Sequence, residues 1–534
     1  MGAERLVAGT LLLAFEGERP PVWVRRWLAE RPPAGVTLFR AANIGSPAQV
    51  RALTDALQTA RPPGTPPLLI AADEEAGQLS AFGPSTTPFP GNLALGAAAD
   101  PALAEAVGRA IGRELRALGV NVNYAPVCDL ATNPANPSLL TRGFGSDPAM
   151  VADLAAAFVR GLQGAGVAAT AKHFPGAGEA VADPHHRLPV LDLDLDRLAA
   201  VELVPFRGAL EARARLVMVG HLGLPRLAEG PDRPATLSRA VVAGLLRRRL
   251  GFRGVAVSDA LDMGALARGP GVVLDAVSAL RAGLDLLLCG PDRRAMEGIA
   301  AGLRRAVEVG LVDPRALRTS AARVARLRRW VGRSADEDLG VLRCSEHEAL
   351  ARIVAERSVT LVRNEDGVLP LRLDPEAAVL VVVPRLRNLT PADTSAGVTV
   401  ALGAAIRRYH PRVDEVVVDD PPRGDDVAAV RALVPGHRLV VLGTAAASFV
   451  PEQAALARAI LALGVPTVTV ALRTPYDLAR YPEARTHVCT YSVQEPAIRA
   501  LADALVGRIP FRGRLPVAIP GCHPAGHGLA GDGG

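Results

Sequence analysis

Short, almost wholly apolar runs rich in Val, Leu and Ala recur along the first 290 residues, each followed by a longer stretch whose apolar positions repeat at helical spacing. Unbroken apolar runs of this length are what parallel strands covered on both faces require. Eight are found, at residues 6–15, 35–39, 67–73, 120–126, 167–174, 215–221, 254–260 and 284–290. Their alternation with helical segments predicts a closed (β/α)8 TIM-type barrel. What ends the runs is informative. The third ends in Asp73, the fifth in Lys172 and His173, the sixth in His221 and the seventh in Asp259, while the fourth continues into Asp129. A buried strand has no structural need of a charge at its carboxyl end, whereas a barrel builds its site there.

Between about residues 313 and 363 the pattern turns helical and arginine-rich, as a connector would be. From 377 strands resume with "AVLVVVP", "EVVVDD", "HRLVVLGTA", "PTVTVALRTP" and "HVCTYS", without recurring charges at their ends. The organisation read from this is a barrel over residues 1–335, a connector over 336–376, and a smaller αβα sandwich with a mostly parallel sheet over 377–534. No GxGxxG or phosphate-loop pattern opens the second sheet, so a nucleotide site is not expected there.

Composition narrows the classes. Hydrophobic residues make up 49% and charged residues 21%, with a formal net charge of +6 that is small for 534 residues. Arginines are interleaved with acids instead of forming a stripe with aromatics, which argues against nucleic-acid binding. Five widely spaced cysteines with no CxxC pair fit neither a disulfide framework nor a zinc site, and point to a reducing, cytoplasmic compartment. The apolar start "LVAGTLLLAF" is short and lacks a cleavage site, so it reads as a buried strand; no run is long enough to cross a membrane. Only the glycine-rich tail after Cys522 reads as disordered.

Chemistry concentrates in "KHFPGAGEAVADPHHRLP". Of 60 basic residues Lys172 is the only lysine, in a chain where every other such cation has become arginine. A compact ammonium on a flexible stem reaches places that a planar guanidinium cannot. The following glycines and prolines exclude a helix and make a loop over the barrel mouth, on which Asp183 stands two residues before His185, close enough to orient its imidazole. Across the barrel, "GVAVSDALDM" sets Asp259 at the end of an apolar strand. A carboxylate there, facing a histidine proton donor, suits glycoside cleavage with retention of configuration. The plainer readings are a solvated Asx turn at Asp183 and a helix cap at Asp259. No spacing matches a zinc helix or a calcium loop.

Together "KHFPGxGxxxxDxH", "SDALxM", "RGFGSDP" and "DEEAG" resemble the barrel domain of glycoside hydrolase family 3, in its NagZ-like β-N-acetylglucosaminidase branch. "AERSVTLVRNEDGVLPL", "RTPYDL" and "FRGRLPVAIP" resemble that family's second domain. The resemblance implies Asp259 as nucleophile, His185 as acid/base and Asp183 as its partner. It implies Lys172, His173, Arg142 and Asp73 as sugar contacts, no metal or organic cofactor, and a small carbohydrate substrate. The chain departs from the family in reading Asp183-Pro184-His185 for the usual Asp-Ser-His, in Ala177 where many relatives have a second histidine, and in Ser80-Ala81 where bacterial relatives have a further arginine.

The activity so implied is release of terminal N-acetylglucosamine from cell-wall fragments or chitooligosaccharides. A phosphorylase using phosphate in place of water, and a sugar-binding protein without turnover, are the alternatives; oligomeric state is not legible.

Overall fold

The computed structural model describes residues 2–230, 232–267, 269–334 and 337–530. Its first sheet contains β1 (Leu11–Leu13), β2 (Gly35–Thr37), β3 (Leu69–Ala72), β4 (Val122–Asn123), β5 (Ala168–Phe174), β6 (Leu216–Val219), β7 (Val255–Ser258) and β8 (Leu287–Leu288), all parallel and in the order β8-β1-β2-β3-β4-β5-β6-β7. The ring closes between β7 and β8, where Ser258 N donates to Leu286 O at 3.0 Å and Leu286 N to Ala256 O at 3.1 Å. The predicted barrel is therefore present. Strand alternation sorts the core: Leu12, Ala71, Val122, Leu216 and Val257 fill the interior, while Leu11, Leu13, Ile70 and Ala256 face the surrounding helices.

The first run was read as strand throughout, but residues Ala3–Ala8 form a helix and only Leu11–Leu13 are strand. An apolar run carries no mark of where helix ends and strand begins; here Gly9 follows the helix and Thr10 Oγ1 donates to Val7 O at 2.7 Å. Asp-Pro pairs open three of the barrel helices, at Asp100-Pro101, Asp147-Pro148 and Asp313-Pro314. In "RGFGSDP" the Asp147 side chain accepts from Met150 N at 2.7 Å and Pro148 is the first residue of the helix Pro148–Gly164.

The second sheet has six strands, β9 (Thr360–Asn364), β10 (Val379–Pro384), β11 (Val413–Val418), β12 (Leu439–Thr444), β13 (Thr467–Ala471) and β14 (Thr486–Cys489), ordered β9-β14-β13-β12-β10-β11. Five are parallel and β9 alone is antiparallel. Val379, Val381 and Val383 of β10 enter one apolar cluster and Leu380 and Val382 another, so both faces are covered, as the predicted αβα sandwich requires. Two expectations need correction. β9 lies inside the stretch read as connector, because "TLVRN" is a short strand hidden behind an arginine-rich helix. The tail after Cys522 is not loose as far as residue 530: Leu529 N donates to Leu361 O at 2.8 Å and pairs with β9, which gives the tail's backbone a partner. Residues 531–534, and the expected boundary at 335–336, fall outside the described residues. No helix among the described residues is long and apolar enough to cross a membrane.

Candidate active site

The carboxyl ends of the barrel strands surround a cavity of about 800 Å³ that contains, among its walls, Asp73, Arg142, Lys172, His173, His185 and Asp259. Six of the seven residues implied by the resemblance thus meet in one place, with the strand-end residues Asp129 and His221 beside them, and the seventh, Asp183, stands directly behind His185.

Lys172, on β5, is 1% exposed and its Nζ lies 2.6 Å from Asp73 Oδ1 and 2.6 Å from Glu75 Oε1. Burial alone would lower its pKa; the two carboxylates outweigh it and hold the ammonium charged. Arg142 donates to Glu75 through Nε at 2.9 Å and Nη2 at 2.8 Å, and through Nη1 to Ser138 O at 3.2 Å. Glu75 is the member that sequence reading missed. Burial pushes its carboxyl up, but Arg142 and Lys172 prevail and bring it down to about 2. The signal for it was present in "DEEAG": residues two apart on an extended segment share a face, so Asp73 and Glu75 reach the same lysine while Glu74 turns away. Glu74 instead accepts from Ser80 Oγ at 2.6 Å and Phe82 N at 3.0 Å, and its full burial pushes its carboxyl up to about 7.

Each histidine of the site is held by a partner. His173 Nδ1 donates to Asp129 Oδ2 at 2.7 Å, and Asp129 also accepts from Ala177 N at 2.7 Å, so the strand-end carboxylate noted in the sequence orients this ring. His221 Nε2 donates to Ala260 O at 2.9 Å, bracing the residue that follows Asp259. Asp183 accepts from His185 at both Nδ1 (2.6 Å) and the backbone N (2.9 Å). Burial would raise the Asp183 carboxyl, yet these bonds and the charges of His185 and His186 leave it below the usual range, ionised and able to fix the tautomer.

The Asp183–His185 loop is carried to the Asp259 side of the cavity by backbone bonds. Ala265 N donates to Pro184 O and Gly264 N to His185 O, each at 3.0 Å, from the segment that follows Asp259. Pro184, where the family usually has serine, contributes its carbonyl to this joint, so the loop is tied down at two points. At Asp259 burial would again raise the carboxyl, but His173, His221 and His185 outweigh it and keep it below the usual range. Among the described residues, no three His, Cys, Asp or Glu side chains converge as metal ligands.

A β/α barrel whose strand ends gather a buried ammonium, carboxylates and an Asp-His pair around one cavity has the make-up of an enzyme active site. The family model for the glycosyl hydrolase family 3 N terminal domain matches residues 12–327. The chain is 30% identical to the beta-hexosaminidase A of Pseudoalteromonas piscicida over 91% of this chain and 89% of that one. It is 31% identical to a beta-N-acetylglucosaminidase/beta-glucosidase of Cellulomonas fimi, over 90% and 89% respectively. The solved glycoside hydrolase family 3 beta-N-acetylglucosaminidase of Paenibacillus sp. str. FPU-7 superposes with a TM-score of 0.91 at 35% identity, covering 97% of this chain and 98% of that one. The chain belongs to glycosyl hydrolase family 3.

Proposed function

We propose that the protein is a retaining exo-β-glycosidase that removes terminal N-acetylglucosamine from chitooligosaccharides or cell-wall fragments. Asp259 attacks the anomeric carbon as the glycosidic bond breaks, and His185 Nε2 gives its proton to the leaving oxygen. His185 then takes a proton from water, whose oxygen displaces Asp259 and leaves the sugar with its configuration retained. Asp73, Lys172, Arg142 and His173 hold the ring hydroxyls, with Asp183 fixing the His185 tautomer. The observation that supports this reading is the tie between the Asp183–His185 loop and the segment after Asp259, which brings His185 and Asp259 to one side of the cavity.

The names of the relatives support N-acetylglucosamine as the sugar. Five free cysteines support a cytoplasmic setting. The test is a panel of p-nitrophenyl β-N-acetylglucosaminide, β-glucoside and β-xyloside, with and without phosphate. Hydrolysis of the first that phosphate does not accelerate, giving the β-anomer as first product, is expected; a sugar 1-phosphate product would replace this reading with phosphorolysis.

A further inference from the structure

The wall of the cavity opposite Asp259 is not made by the barrel alone. In a closed ring of eight strands β3 and β7 are four apart and face each other across the mouth. Asp259 follows β7 and Asp73 follows β3. A sugar whose anomeric carbon meets Asp259 therefore points its non-reducing end toward the β3 side. There the lining includes Leu79, just after β3, and Pro391 and Ala392, which come from the second domain.

These two residues sit in a braced turn between β10 and β11. Thr390 Oγ1 accepts from Ala392 N at 2.9 Å, and Asp393 accepts from Leu389 N at 2.9 Å and Ser395 N at 2.8 Å. Asp393 is also paired at 3.1 Å with buried Arg473, whose Nη2 donates to Arg387 O at 3.0 Å. The turn is fastened to the barrel through Gln78. Thr394 donates to Gln78 O from its backbone N at 2.9 Å and its Oγ1 at 3.0 Å, and Gln78 Nε2 donates to Ala392 O at 3.2 Å. On its other side Gln78 Oε1 accepts from Thr141 Oγ1 at 3.0 Å, one residue before Arg142. Turn, Gln78 and sugar-gripping fork form one hydrogen-bonded unit.

We propose that this turn is an end-stop: Pro391 and Ala392, held by Gln78 and Thr394, close the cavity beyond one sugar ring and so restrict cleavage to the terminal residue. The proposal rests on the reading of the protein as a β-N-acetylglucosaminidase and names the element of the second domain that sets its exo action. A ring extended through its 4-hydroxyl runs into the turn. A disaccharide therefore cannot place its inner ring at Asp259.

The probe is p-nitrophenyl β-chitobioside, with products resolved by chromatography. Wild type is expected to release N-acetylglucosamine first and phenol only after a lag. Pro391→Gly with Ala392→Gly opens the wall, and Thr394→Val separately loosens the fastening with little change of shape, removing the Oγ1 bonds to Gln78 O and from Ser80 N and keeping the backbone one. In each, intact chitobiose and phenol should appear together without a lag, the disaccharide-to-monosaccharide ratio rising about tenfold or more. Release of intact chitobiose by wild type, or an unchanged ratio in both folded variants, overturns the end-stop. Inactivity of wild type on p-nitrophenyl β-N-acetylglucosaminide instead overturns the activity on which it rests, and that assay does not involve the turn.

Discussion

Glu75 grips Arg142 at two points, 2.9 Å at Nε and 2.8 Å at Nη2, while its Oε1 also lies 2.6 Å from Lys172 Nζ. One buried carboxylate thus fixes both cations of this cavity wall. Removing it leaves Arg142 without a carboxylate partner and Lys172 with Asp73 alone, and breaking a buried ionic group in this way costs about 3–5 kcal/mol. Glu75→Gln is accordingly expected to lower the melting temperature and raise KM for p-nitrophenyl β-N-acetylglucosaminide about tenfold or more. Because the carboxyl is held down to about 2 in the fold, its contribution is present above the ordinary 4.5 and lost as pH falls toward 2. A variant with wild-type KM and stability would contradict this role.

Lys172→Arg keeps the charge but not the shape. With 1% exposure and two carboxylates at 2.6 Å, a planar fork must displace the groups packed around Nζ. Overpacking of this kind costs about 1–3 kcal/mol. We expect a lower melting temperature together with at least about a tenfold loss of kcat/KM. An arginine variant equal to wild type in both would mean that the solitary lysine is an accident of composition.

Glu74 gives a pH signature. Its carboxyl rises from the ordinary 4.5 to about 7 on burial, so its contribution to stability is fully present below 4.5 and lost as pH rises through 7. Glu74→Gln removes that loss. The melting-temperature difference between variant and wild type should move in the variant's favour across this interval; a difference independent of pH would contradict the assignment.

Much of this site was legible because buried parallel strands are so uniformly apolar that a charge at their end stands out: Asp73, Lys172, His173 and Asp259 were visible for that reason. Asp183 and His185 were visible through spacing and family resemblance. Glu75 was hidden in a run of three acids, where only strand alternation tells inward from outward. The boundary at Gly9 was hidden because one apolar run served helix and strand alike, and β9 because its five residues adjoin a helix. Pro391 and Ala392 could not be found from sequence, since an uncharged turn reaches the cavity only through tertiary contact with Gln78.

Asp259→Ala should leave the fold intact, because the side chain faces the cavity from a strand end. With an aryl glycoside its loss is expected to cost about 10³-fold or more in kcat. More than about a tenth of wild-type activity in the folded variant would remove Asp259 from the mechanism.

The central claim is that His185, held by Asp183 at 2.6 Å, delivers the proton to the leaving group. It is tested most directly by the rate of the glycosylation step for a series of aryl β-N-acetylglucosaminides, plotted as log rate against phenol pKa, in wild type and His185→Ala. Acidic phenols depart without help and poor leaving groups do not. The variant should therefore show a markedly steeper dependence, with little loss for the best leaving groups and a large loss for the worst. Equal slopes in the two proteins would show that the proton comes from elsewhere.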